Sequence, residues 1–146
     1  MPIKSQKVDA DIISQTLAEV ITRNKYGVLQ HYAASGSGEL GYTTLFSVTG
    51  KGIIYGGFLN TSHKDAFLRI TIDGTIINTP SHDSLNTLGI ISPEQYLVFS
   101  LFHDAVNDSY NMGIKSGITF ETDYKVELYK PITFTVYNYR LLFALV

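Results

Sequence analysis

The chain has 146 residues and a formal charge of -2, from eleven Lys and Arg against thirteen Asp and Glu. That length suits a single domain with a sizeable core, and the lack of any basic run to neutralise phosphates sets aside nucleic acid as a partner. Charged residues are only 16% while hydrophobic ones reach 45%, so the surface falls to Ser, Thr, Asn, Gly and Tyr, which suits assembly or an extracellular life.

No cysteine is present, so disulfides and thiolate metal sites are out and the redox compartment stays open. The opening "MPIKSQKVDADII" lacks the apolar core of a signal peptide, and no apolar run reaches the roughly eighteen residues of a spanning helix. The expectation is a soluble chain made in the cytoplasm, not exported by the Sec route, with no membrane partner.

The first predicted element is a helix over about residues 10–24, in "KVDADIISQTLAEVITRN". Asp9 or Asp11 can cap it, and Ile13, Leu17, Val20 and Ile21 recur at helical spacing against polar Gln15, Thr16, Glu19 and Arg23. Such a narrow stripe is marginal alone, so it needs the domain or a sister chain to pack on. Residues 1–24 are therefore read as an arm and helix, and 25–146 as a β-domain.

From residue 25 onward Tyr, Phe, Ile, Val and Thr dominate, broken by Gly, Asn, Asp and Pro every eight to twelve residues or so, as a sandwich or barrel requires. Strands are expected at 26–33, 43–49, 52–60, 67–72, 75–78, 96–102, 117–121, 124–129 and 132–146. The clearest is "AFLRITIDGTII", where Leu68, Ile70 and Ile72 share one face and Asp73-Gly74 supplies the positive φ angles of a two-residue hairpin. "SGSGELG", Ser35 to Gly41, reads as an inter-strand loop. Gly50 and Gly52 mark a turn, and Gly56-Gly57 a bulge or a close approach of another backbone. Residues 79–95 read as a long loop, and "ISPEQYLVFSLF" as a turn followed by a strand.

At the end, "YRLLFALV" runs into six consecutive apolar residues, and a strand apolar on both faces must be covered on both. One sheet face meets the core, so the face carrying Leu141, Phe143 and Leu145 is expected to meet the N-terminal helix or a neighbouring subunit. Tyr137 and Tyr139 alternate with Phe134 and Val136, giving a tyrosine face that could stack on a partner or a sugar. The candidate interface residues are Ile13, Leu17, Val20, Tyr137, Tyr139, Leu141, Phe143 and Leu145.

Local chemistry motifs are lacking. Gly36, Gly38 and Gly41 match G-x-G-x-x-G, but β-like "YTTLFSVTG" follows where a dinucleotide turn needs a helix. Histidines 31, 63, 82 and 103 do not repeat a metal-binding spacing, "DAVNDSYN" lacks the order of a calcium loop, and no G-x-S-x-G elbow occurs. No catalytic residue, metal or cofactor is assigned, and the chain is expected not to be an enzyme.

The runs "LFSVTGKGIIYGGFL", "AFLRITIDGTII" and "ITFETDYKVELYKPITFTVYNYRLLF" resemble small β-sandwich virion proteins of tailed phages and prophages of Gram-positive bacteria, over residues 40–146. The resemblance implies an all-β fold, an antiparallel β-sandwich of jelly-roll type, here with one short N-terminal α-helix. It further implies a non-enzymatic structural or attachment component of tail, neck, fibre or capsid, located in the virion. Its partners would be itself, as a homo-oligomer with a trimer favoured, other virion proteins and a host-surface glycan. The alternative is a carbohydrate- or receptor-binding module.

Overall fold

A computed structural model describes residues 27–38, 40–131 and 135–146. The helix expected at 10–24, with Ile13, Leu17 and Val20, lies outside the described residues. The chain runs through β1 (Gln30–Gly38), β2 (Gly41–Thr49), β3 (Gly52–Thr61), β4 (Phe67–Ile72), β5 (Thr75–Asn78), helix α1 (His82–Thr87), β6 (Val98–Asp104), β7 (Ser109–Ile114), β8 (Ile118–Phe120), β9 (Asp123–Lys130) and β10 (Thr135–Leu145). All pairing is antiparallel. A six-stranded sheet has the order β1-β10-β3-β7-β6, with β8 also against β3, and a four-stranded sheet has the order β2-β9-β4-β5.

The two sheets face one another because their alternating apolar residues leave one face each to hide. Leu45, Phe46, Leu68, Ile70, Val126 and Leu128 of the smaller sheet meet Ile54, Leu59, Met112, Ile114, Leu141 and Phe143 of the larger in one buried cluster. Phe46 joins the layers, its ring centroid 4.8 Å from Phe143 and 5.0 Å from Tyr32. The hairpin forms as expected: Asp73 and Gly74 take φ of 51° and 82°, and Ile72 pairs with Thr75.

Three segments differ from the sequence reading. Ser35 to Gly38 is not loop but strand, paired with Asn138 to Thr135 of β10. A Cβ on Gly36 would meet the Tyr137 hydroxyl at 3.1 Å. Within the expected loop 79–95 lies α1, started by Ser81, whose side chain accepts from the Ser84 N–H, and anchored by buried His82 and Leu85. Six residues are too few for helical periodicity to show. Finally, Ser109–Ile114 is a strand whose Tyr110, Met112 and Ile114 alternate inward. Its Asn, Gly and Met have weak β-propensity and masked that alternation.

The closing strand also lies differently. Tyr139, Leu141 and Phe143 point into the intersheet core, with Tyr139 and Leu141 0% exposed, and Tyr137 and Leu145 pack against it. The cover sought for that face is the four-stranded sheet of the same chain. Alternation leaves Val136, Asn138, Arg140 and Leu142 outside. Arg140 and Asn138 decide the orientation, since the opposite choice would bury a guanidinium.

Candidate binding face

The outer face of the six-stranded sheet can be read row by row from the strand register. One row runs Ala33, Arg140, Phe58, Gly113, Phe99, each directly opposite the next. The neighbouring row runs Ser35, Asn138, Asn60, Asn111, Phe102. Adjacent strands lie about 4.8 Å apart, so three amides stand side by side. Asn60 Nδ2 donates to Ser109 Oγ at 3.1 Å and to Asn111 Oδ1. Asn138 Oδ1 has no partner among the described residues.

A shallow trough crosses this face because three sheet positions are glycine. In the β3–β10 ladder Leu142 is opposite Gly56 while Phe143 is opposite Ile54, so Tyr55 is an extra, bulged residue. Gly56 takes φ of 120°, which an L side chain resists, and a Cβ on Gly57 would fall 2.2 Å from the Arg140 carbonyl oxygen. The Gly56-Gly57 pair is therefore both a bulge and a close backbone approach. On Gly113 a Cβ would lie 2.3 Å from Phe99 ring atoms, so that ring lies against the bare backbone.

Tyr55, 39% exposed, divides the trough. On one side a hollow of about 410 Å³ is lined by Phe99, Pro93, Glu94 and Lys115. On the other a hollow of about 450 Å³ is lined by Phe58, Leu142, His31 and Arg140. The segment carrying Pro93 and Glu94 is fixed by Gln95, whose Oε1 accepts from the Ile91 and Ser92 N–H groups at 2.8 and 3.0 Å. Hydrogen bonds from its own backbone and from Ser92 hold the Glu94 carboxyl below the ordinary carboxylate value. It is thus an anion across the physiological range.

A second polar cluster lies under α1. His82 is 0% exposed, with Nε2 3.0 Å from the Asn111 carbonyl oxygen and 3.3 Å from Ser100 Oγ, and Nδ1 3.3 Å from His103 Nδ1. The two rings stack at 5.2 Å between centroids, and Tyr110 closes over both. The Asn111 carbonyl can only accept, so His82 Nε2 carries a proton and donates it there. Among the described residues no group of three His, Asp or Glu could hold a metal. Two imidazoles already bonded to each other and to backbone form a structural pair.

Of the residues singled out in sequence, Tyr137, Tyr139, Leu141, Phe143 and Leu145 are brought together, but inside the sandwich. Of the trough, the sequence singles out only the Gly56-Gly57 pair, as a matter of packing; its aromatic and charged lining, Tyr55, Phe58, Phe99, Glu94, Lys115 and Arg140, is not singled out. Pro93 and Glu94, at the end of the long segment read as a loop, reach the first hollow. No protein-family model matches the chain, and no curated protein matches it in sequence.

Proposed function

We propose that the chain is a non-enzymatic virion protein of a tailed phage or prophage, a jelly-roll sandwich that assembles as a homo-oligomer and serves as a structural or attachment module. The resemblance over residues 40–146 supplies the class. The carrying observation is the edge strand β6, which the Ile90 carbonyl caps at the Ser100 N–H, 2.8 Å away, but leaves apolar beyond it. Its bulged Leu101 and its Phe102 are 54% and 50% exposed, in a chain of which only 16% is charged. The bulge and the cap at Ser100 blunt strand pairing there, but two large apolar side chains standing out at a sheet edge still favour an assembly that covers them. Cyclic closure, for which a trimer is favoured, would cover such an edge.

Light scattering on the full chain and on Phe102→Glu tests the assembly. A trimeric parent and a smaller, still folded variant are expected, and a monomeric parent overturns the assembly. Mass spectrometry of purified particles tests the location, and its absence from them overturns the virion reading. The second reading, a carbohydrate- or receptor-binding module, is favoured by the trough around Tyr55, and the two are compatible in an attachment protein.

A further inference from the structure

We infer that the trough on the six-stranded sheet binds a segment of neutral oligosaccharide, with at least one sugar ring on each side of Tyr55. The inference rests on the attachment reading and adds the class of ligand and the residues that hold it.

The floor and walls have the chemistry of a sugar subsite. A pyranose presents an apolar C–H face and a rim of hydroxyls that both donate and accept. Aromatic rings satisfy the first while keeping specific geometry. Phe99 rests against the bare backbone of Gly113 and lines the first hollow, and Tyr55 borders both hollows. Hydroxyls at the rim would find the Glu94 carboxylate as acceptor and the Lys115 ammonium as donor in one hollow, and the Arg140 guanidinium as donor in the other. Cations and an anion together favour a neutral polyol over a phosphate or a polyanion. The volumes, about 410 and 450 Å³, fall in the lower part of the range for small-molecule sites, about 300–1,000 Å³.

The position in the sheet argues against a peptide strand. Peptides that extend a sheet need a free edge, whereas the trough crosses β10, β3, β7 and β6, and β10, β3 and β7 each have neighbours on both sides. Beyond Phe58 the row of Asn138, Asn60 and Asn111 continues the surface with amides, of which Asn60 Nδ2 is already engaged by Ser109 and Asn111 while Asn60 Oδ1 and Asn111 Nδ2 keep capacity for a ligand. A chain of sugars longer than two rings would run onto them.

The test is an array of bacterial and animal oligosaccharides probed with the assembled protein, followed by calorimetric titration of the strongest neutral trisaccharide. Retention of neutral oligosaccharides is expected. Tyr55→Ala, and Gly113→Ala, which pushes the Phe99 ring out of its place, should each weaken binding at least about tenfold. Phe67→Ala, on the other sheet, should leave binding unchanged, and all three variants should keep the parental oligomer size. No retention by the parent overturns the inference. So does undiminished binding by both trough variants, and so does dissociation of the oligomer by Tyr55→Ala, which would make the trough a contact between copies. Particle-borne protein with no affinity for sugar sinks this inference alone, while sugar binding by a protein absent from particles sinks the virion reading alone.

Discussion

Arg69 and Glu127, on the paired strands β4 and β9, are joined by two parallel hydrogen bonds, Nε to Oε1 at 3.0 Å and Nη2 to Oε2 at 2.7 Å. The guanidinium also lies 3.7 Å above the ring centroid of Tyr42. This outward pair braces the smaller sheet, and its partners are unequal: the Arg69 side chain is 30% exposed and that of Glu127 10%. Removing Arg69 leaves a nearly covered carboxylate, with only Lys125 at 3.8 Å, whereas removing Glu127 frees a cation that can turn to water. Arg69→Gln should therefore lower the melting temperature more than Glu127→Gln, and the double variant should fall short of their sum. Thermal melts of the three variants decide it.

The histidine pair sets a response to acid. Burial, and then the neighbouring His103, press His82 below its ordinary value of 6.5. The unfolded chain therefore takes up a proton before the folded one does. Stability is complete above about pH 6.5 and declines as pH falls below it, by at most about 1.4 kcal/mol per pH unit for one group. Melting temperature between pH 7.5 and 5 should show this decline in the parent and lose much of it in His82→Gln. A parallel slope in the variant would assign the effect elsewhere.

Tyr124 and Tyr139 bury hydroxyls that have no hydrogen-bond partner among the described residues. Burial pushes both phenols well above the ordinary tyrosine value, so they stay neutral and simply lose their water. Replacing either by Phe keeps the ring packing and removes the orphan group. Each change should raise stability by about 1 kcal/mol, measurable by urea denaturation with an unchanged m-value.

Asp73 does two things at its turn. It takes φ of 51°, and its carboxylate accepts from the Glu121, Thr122 and Asp123 N–H groups and from the Thr122 hydroxyl, tying the β4–β5 hairpin to the turn before β9. These bonds, from Thr122 first, hold the carboxyl below its ordinary value of 3.8, so its contribution persists at neutral pH and fades as pH falls below that value. Asp73→Asn keeps the tolerance for positive φ and should be milder than Asp73→Ala, which loses both. Hydrogen exchange at the Thr122 amide should rise in both variants, and more in Asp73→Ala.

What could be read from the sequence divides along physical lines. The β4–β5 hairpin was legible because everything that specifies it, alternation and Asp-Gly, lies within twelve consecutive residues, Ala66 to Ile77. The two-layer β architecture was legible from composition and turn spacing. The sidedness of β10 was not, since both its faces look apolar near the end, and only Asn138 and Arg140 broke the tie. The trough was hidden for another reason. Phe58 and Gly113 are opposite one another across β3 and β7, and β7 itself was masked by Asn and Gly, so the rows that make the face could not be assembled from local patterns.

The strand order has a consequence for a chain made one residue at a time. By Lys130 all four strands of the smaller sheet exist, and β2, β9, β4 and β5 can close. The larger sheet cannot, because β10 is the strip inserted between β1 and β3, with Gln30 waiting for Phe143 and Gly52 for Leu145. Until it arrives, β1 has no neighbour and β3 keeps an open edge toward other nascent chains. Pairing across so much chain is slow, and unpaired edges are where aggregation starts. β10 therefore completes the larger sheet, and a chain ending before residue 135 would leave β1 unpaired and one edge of β3 open.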